Sequence, residues 1–158
     1  METGVRMATA DDIEKLINAR FDYFETENWE APSEQRPVIE LNLRQYFTNH
    51  LNIDFFAAVI EENNQIASLA FLSISECPAN PFYPTGKTGV IRNVLTYPEH
   101  RKRGLATKAL CMLIEEAKRQ SLSFLELSAS ESGRPLYKRL GFRKKEPSCY
   151  TEMRLSLL

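Results

Sequence analysis

The most constraining feature of this chain is a strand that runs directly into an amphipathic helix across a short basic turn. Val90, Ile91, Val94 and Leu95 form an apolar run closed by Pro98, and Ala106, Ala109, Leu110, Leu113, Ile114 and Ala117 recur at helical spacing. Between them stands Arg101-Lys102-Arg103-Gly104-Leu105-Ala106. The first N–H groups of a helix lack internal partners and sit at the positive end of its dipole, so this turn can attract an anion. A glycine there also lets a ligand approach the backbone closely. Two readings compete: a solvated basic turn, or a phosphate cradle. Helix starts favour acidic residues, so cations gathered at this end call for a polyanionic partner.

The remaining elements can be placed around that unit. Val5-Arg6-Met7-Ala8 reads as a first strand, and Thr9 as an N-cap with Asp11 and Asp12 in the first turn. Ile13, Leu16, Ile17, Arg20, Phe21 and Phe24 continue as a helix; after Pro32 and Pro37, residues Val38 to His50 form a second. Phe55 to Glu61 and Gln65 to Ser75 read as two strands, joined by Asn63-Asn64, residue types that tolerate the positive φ of a tight hairpin. Gly89 to Thr96 is the next strand, followed by a helix from Gly104 to Gln120 and an apolar strand from Leu122 to Ala129, suited to burial between neighbours. Arg134 to Leu140 is a short helix ended by Gly141, and Phe142 to Leu157 is expected to form a final strand pair. Strands on either side of a helical crossover imply one parallel pair within a mainly antiparallel sheet.

Composition narrows the function classes. At 158 residues and 43% hydrophobic, the chain is long enough for one domain with a proper core. A net charge of −1 argues against a duplex nucleic-acid binder. Arg134, Lys138, Arg139, Arg143, Lys144 and Lys145 form a second basic group, read as a solvated face. Cys77, Cys111 and Cys149 have no metal-ligand spacing, and Cys111, inside the helix pattern, reads as a small core residue. His50 and His100 lie too far from any such cluster to suggest zinc. No apolar run reaches the length of a membrane span and no signal-peptide core is evident, so a cytoplasmic setting without membrane partners is expected. Gly86-Lys87-Thr88 is not a nucleotide P-loop, because Pro81 stands where that motif needs glycine.

Arg101-x-x-Gly104-x-Ala106 resembles the Q/R-x-x-G-x-G/A signature of the GNAT superfamily of N-acetyltransferases. Asn93 to Arg101 is similar to the strand and loop preceding that signature, and Pro135 to Phe142 to the family's "lYxxlGF" helix end. The resemblance covers about Gly89 to Phe142. It implies an α/β acyl-CoA N-acyltransferase fold in the order βααβββαβαββ, one domain over 1–158, with a mostly antiparallel mixed sheet and a central parallel strand pair. It also implies acetyl-CoA (coenzyme A) as co-substrate without a metal, and an amine acceptor, small molecule or peptide. The oligomeric state stays open, a homodimer among the options.

Carried onto this sequence, the resemblance places the pyrophosphate on the amides of Arg103, Gly104, Leu105 and Ala106, with Arg101 or Lys102 reaching the ribose phosphate and Thr107 adding a hydroxyl. A bulge in the fourth strand would free an N–H near Val94 or Leu95 for the developing oxyanion, with Leu95 and Thr96 along the pantetheine arm. Where the family often has an asparagine, this chain has Ser128-Ala129-Ser130-Glu131-Ser132; Ser130 is the expected ligand contact and Ser132 the helix cap. Tyr137 is the candidate general acid. Its competing role is structural: with Gly141 at C′, Tyr137 and Phe142 occupy the positions whose side chains close a Schellman motif. For the general base, Glu76, Glu131 and a water chain stay open. Tyr23, Phe24, Glu25, Glu27, Trp29, Glu30 and Glu34 form an aromatic, acidic stretch that could receive a cationic amine or could simply be solvated.

Overall fold

In a computed structural model the described residues, 4–158, fall into two compact units, the first ending at Ser128 and the second spanning Ala129–Leu158. The first holds a five-stranded sheet, β1 (Val5–Met7), β2 (Phe55–Glu62), β3 (Gln65–Glu76), β4 (Lys87–Thr96) and β5 (Leu125–Glu126), in sequential order. Neighbours pair antiparallel except β4 and β5, which are parallel. Helices α1 (Ile13–Thr26) and α2 (Arg36–His50) precede β2, and α3 (Leu105–Arg119) is the crossover between β4 and β5. This is an α/β fold with one parallel pair in a mixed sheet, as the sequence pattern requires.

Both sheet faces are covered, which explains why β2 and β3 read as continuous apolar runs. Ala57, Val59, Leu69, Phe71 and Leu95 join Leu16, Ile17 and Phe21 of α1 and Phe47 of α2 in one buried cluster. The alternate residues Ala58, Ile60, Ala70 and Leu72 are equally buried, and a period of two turns them to the other face, where α3 packs on β2 and β3. From α3, Leu105, Ala109, Leu110, Leu113 and Ala117 are buried. Each large aliphatic side chain removed from water contributes about 1.5–3 kcal/mol. Cys111 is exposed, not a core residue: at about 100° per residue it lies some 200° round the helix from Ala109. The hairpin between β2 and β3 turns on Asn63 (φ 51°) and Asn64 (φ 63°), the left-handed pair a tight hairpin demands.

The strand expected over Leu122 to Ala129 is reduced to Leu125–Glu126, half-buried at the sheet edge. Its ladder with β4 consists of Gly89↔Leu125 and Val90↔Glu126. A Cβ on Gly89 would come within 2.8 Å of the Leu122 and Leu72 side chains, so glycine permits this close approach.

An ion network joins the chain's first elements. Arg6 on β1 donates from Nη1 to Asp12 Oδ2 (2.7 Å) and from Nη2 to Asp12 Oδ1 (2.9 Å) and Glu61 Oε2 (2.7 Å), and Lys15 on α1 pairs with Glu61. Asp12 Oδ2 also accepts from the Thr9 backbone N–H (2.8 Å). The Arg6 hydrogen bonds hold the buried Asp12 carboxyl down at about 2, against an ordinary 3.8. A carboxylate with a depressed folded-state pKa stabilises above its unfolded pKa and loses that contribution as pH falls through the folded value. Allowing for the partly exposed Arg6, the contribution is about 1–2 kcal/mol at neutral pH. Asp12→Asn should therefore lower Tm by roughly 3–6 °C at pH 7. The gap should shrink below pH 4 and close near pH 2; a gap independent of pH in thermal melts would show that the charge is not the cause.

The second unit contains α4 (Arg134–Arg139), after which residues 140–158 form no helix or strand. The expected final strand pair is thus absent from the described residues. Pro147 removes a ladder donor, and a strand needs a backbone partner, which this unit lacks. Tyr150, Met153, Leu155 and Leu157 are all exposed. The end of α4 forms as expected: Gly141 has φ 100°, the Phe142 N–H donates to Tyr137 O (3.0 Å) and the Gly141 N–H to Lys138 O (3.1 Å). That is a Schellman motif, closed by the Tyr137 and Phe142 rings at 6.0 Å.

Candidate active site

The turn before α3 keeps its backbone donors unspent. Lys102 (φ 60°) and Gly104 (φ 74°) are both left-handed, and Gly104 is the N-cap of α3, with no side chain capping the helix. The first N–H to enter the helical ladder in this stretch is that of Lys108, donating to Gly104 O (3.1 Å). Among the described residues, no protein acceptor takes the N–H groups of Arg103, Gly104, Leu105 or Ala106. Gathered at a helix N-terminus through alternating backbone turns, such donors form an anion-binding concavity. A Cβ on Gly104 would meet nothing within 4 Å, so what requires glycine there is the left-handed conformation.

The turn's cations take different parts. Arg103 is engaged: its Nη1 and Nη2 donate to Glu62 Oε2 (2.9 Å) and Oε1 (2.6 Å), and His100 Nδ1 lies 2.9 Å from the same carboxylate. The pair braces the turn against the β2–β3 hairpin. Arg101 donates from Nε to Thr96 O (3.0 Å), tying the turn to the end of β4, and Lys102 is exposed. Thr107 stands in the first turn of α3, partly exposed.

β4 carries a bulge. Its register against β3 passes from Leu69↔Leu95 to Phe71↔Arg92, so Asn93 and Val94 together oppose Ala70. Asn93 has φ 53° and is 2% exposed. Pairing with β5 has already stopped at Val90, so from Ile91 onward β4 has no ladder partner on that side among the described residues. The bulge thus falls at Val94, next to Leu95, beyond the end of the parallel ladder. The Leu95 side chain points into the core at 5% exposure, and its backbone lies opposite Leu69 of β3. Thr96 is held by Ser68, whose Oγ lies 2.8 Å from Thr96 Oγ1 and donates to Leu95 O (3.1 Å).

Against the bulge lies a group the sequence did not single out. Arg20 on α1 donates from Nη1 to Asn93 Oδ1 (3.1 Å), and its guanidinium sits over the Phe24 ring (4.7 Å) and near the Tyr23 ring (5.9 Å). Asn93 Nδ2 is buried without a hydrogen-bond partner. Such an orphan costs about 1–3 kcal/mol, and in a folded protein it marks a place where something other than stability is at work. Tyr97, following β4, donates to Asp22 Oδ2 (2.6 Å); burial and that carboxylate raise its pKa. In sequence, Arg20 is one more residue on an amphipathic helix, and nothing local predicts its contact with a strand 73 positions away.

In the second unit, the Ser130 Oγ accepts from the Gly133 N–H (3.2 Å) and Ser130 O from the Arg134 N–H (3.1 Å). The cap expected of Ser132 is not formed: Gly133 is the N-cap of α4, no side chain caps the helix, and the Ser130 hydroxyl holds the loop leading into it. The base candidates stand apart in character. Glu76 ends β3, largely exposed and 3.5 Å from Lys87 Nζ, while Glu131 is exposed. Glu25, Glu27, Glu30 and Glu34 are exposed as well, and Trp29 packs edge-on to Tyr23 (5.8 Å). Among the described residues, no group of three or more His, Cys, Asp or Glu is placed to hold a metal ion, and no helix is long and apolar enough to cross a membrane.

Comparison with known proteins agrees with this architecture. A predicted acetyltransferase from Clostridium acetobutylicum, solved with acetyl-CoA, is 32% identical, with 96% of this chain and 95% of that one aligned at a TM-score of 0.82. A GCN5-related N-acetyltransferase from Ralstonia eutropha JMP134 shares the fold at 24% identity, covering 96% of this chain and 97% of that one (TM-score 0.75). Glucosamine-6-phosphate N-acetyltransferase from Arabidopsis thaliana does so at 18%, covering 96% and 98% (TM-score 0.67). Comparison with curated proteins returns no match. The model of the acetyltransferase (GNAT) family matches residues 13–142, spanning the helices, the bulged strand and the basic turn: the chain belongs to the GNAT acetyltransferase family.

Proposed function

We propose that this protein transfers the acetyl group of acetyl-CoA to a primary amine by direct attack while both are bound, the whole chain acting as one acetyltransferase domain. The observation that carries the reading is the turn at 101–106, where backbone donors lie unspent beside Arg101 and Lys102. The residues present fit coenzyme A: a polyphosphate needs several donors converging on one point, and the N–H groups of Arg103 to Ala106 supply them without a metal. Arg101 or Lys102 would hold the ribose phosphate, Thr107 would add a hydroxyl, and the β4 segment Val94-Leu95-Thr96 would run beside the pantetheine, with Ser130 as a further contact. The glutamate pairing of Arg103 favours a bracing role for its side chain, leaving its amide for phosphate.

Bound acetyl-CoA supplies an activated thioester carbonyl. The protein's part is to orient it, to donate a hydrogen bond to the carbonyl oxygen as charge develops there, and to manage two protons. The bulge supports a backbone donor at Val94 or Leu95 for the first task. Tyr137 is assigned the proton for the departing sulfur. A phenol near pKa 10 and a thiol near 8.5 make full transfer uphill by about 2 kcal/mol, so the hydroxyl serves chiefly as a hydrogen-bond donor to the sulfur unless its pKa is lowered. An alkyl amine near pKa 10 must lose a proton before attack, with Glu76, Glu131 or a water chain as acceptor.

Calorimetry with acetyl-CoA, paired with thiol release across a panel of amines, tests the reading. Saturable binding, together with thiol release dependent on at least one amine, is the expected result. Binding with no amine-dependent release would make this an acyl-CoA-binding module on the same scaffold, and no binding would remove the proposal altogether.

A further inference from the structure

Resting on the transferase reading, we infer that the acceptor amine carries an oxyanion, a carboxylate or a phosphate, and that Arg20 recognises it beside the bulge of β4. A half-buried guanidinium normally has a carboxylate partner, because taking a charge out of water is expensive unless it is compensated. Among the described residues Arg20 has none. Its one polar contact is the neutral Asn93 side chain, 3.1 Å from Nη1. Asp22, two residues along the same helix, accepts from the Tyr97 hydroxyl. Instead of a counter-charge, Arg20 has ring faces: Phe24 at 4.7 Å and Tyr23 at 5.9 Å.

That environment suits a waiting anion receptor. Rings against the guanidinium face orient the plane and leave its edge, where the N–H donors lie, for an in-plane acceptor. Burial disfavours the charge on Arg20, and a second guanidinium, Arg92 on β4, acts weakly in the same direction. A half-buried guanidinium with no counter-ion among the described residues is relieved by an oxyanion. The position matters as much as the charge. Asn93 is the bulge residue itself, so an anion on Arg20 would anchor a molecule next to the strand segment assigned to the reacting carbonyl. The acidic residues that could have favoured a cationic acceptor, Glu25, Glu27, Glu30 and Glu34, are exposed to solvent.

A purely structural Arg20, holding the bulge through Asn93, is the competing role, and it makes a different prediction. The assay pairs amines of one skeleton: amino acids, the corresponding carboxamides, and aminoalkyl phosphates, each with acetyl-CoA and read by thiol release. Wild-type protein should use one of the two anionic series at least tenfold more efficiently in kcat/KM than the neutral amides, and the series preferred tells carboxylate from phosphate. Arg20→Gln should raise KM for the anionic amines at least tenfold and abolish the preference, and Arg20→Lys should retain part of it. Acetyl-CoA calorimetry on Arg20→Gln checks that the fold and cofactor site survive. If no amine turns over, the same compounds are compared by thermal shift in the presence of coenzyme A: stabilisation by the anionic members alone, lost in Arg20→Gln, supports the inference. Preference for neutral or polycationic amines, a preference unchanged in Arg20→Gln, or no differential shift would overturn it. Failure to bind acetyl-CoA at all is a separate result, which removes the transferase reading; the anion-dependent shift, then measured without coenzyme A, still decides the inference.

Discussion

Replacing Gly104 with valine should weaken acetyl-CoA binding by about 100-fold while leaving most of the folded protein intact. Gly104 sits at φ 74° and caps α3. A β-branched residue is a strong outlier in that region, so the backbone would swing toward negative φ and carry the neighbouring N–H groups out of convergence. A hydrogen bond to a charged group is worth about 1.5–3 kcal/mol, and losing one or two of them corresponds to about 3 kcal/mol, or two decades in Kd. The local strain itself costs about 1–2 kcal/mol, which shifts Tm by only a few degrees in a protein of this size. Asparagine, which visits the left-handed region more readily, should retain more affinity than valine. Calorimetric titration of the two variants measures both effects. A valine variant that binds as tightly as wild type would mean that the turn's backbone is not the phosphate site.

Tyr137→Phe should lower turnover at least tenfold with acetyl-CoA affinity little changed. The Schellman contact between Tyr137 and Phe142 makes this substitution discriminating. Phenylalanine keeps the ring that packs at the end of α4 and removes only the hydroxyl. If Tyr137 does no more than close that helix, stability and turnover both survive the change. If its hydroxyl meets the departing sulfur, kcat falls while the melting temperature holds. Steady-state thiol release and a thermal melt on the same preparation separate the two roles, and unchanged kcat removes the catalytic assignment.

Much of each unit's frame is legible along the chain because it is made of local interactions. The Asn63-Asn64 hairpin, the amphipathic face of α3 and the Gly141 helix end depend on residues a few positions apart, and each forms where the pattern puts it. Long-range pairing decided what local pattern could not. The apolar run at Leu122 to Ala129 has strand character throughout, yet its ladder is confined to Leu125–Glu126, although β4 itself continues to Thr96. The alternating residues after Phe142 likewise find no strand partner within their own unit. Exposure of Cys111 followed from helix phase, a matter of one residue's rotation.

The local order of residues thus determined the strand–turn–helix at the basic turn, the helix phases and the hairpin, since hydrogen bonds and side-chain periodicity there span only neighbours. Tertiary structure alone decided the charges. It bound Arg103 to Glu62 across 41 positions, tied Thr96 to Ser68, and set Arg20 against Asn93 with no carboxylate partner among the described residues. Whether a cation on this chain is a brace or a receptor depends on which acid folding brings beside it, and sequence spacing carries no record of that distance.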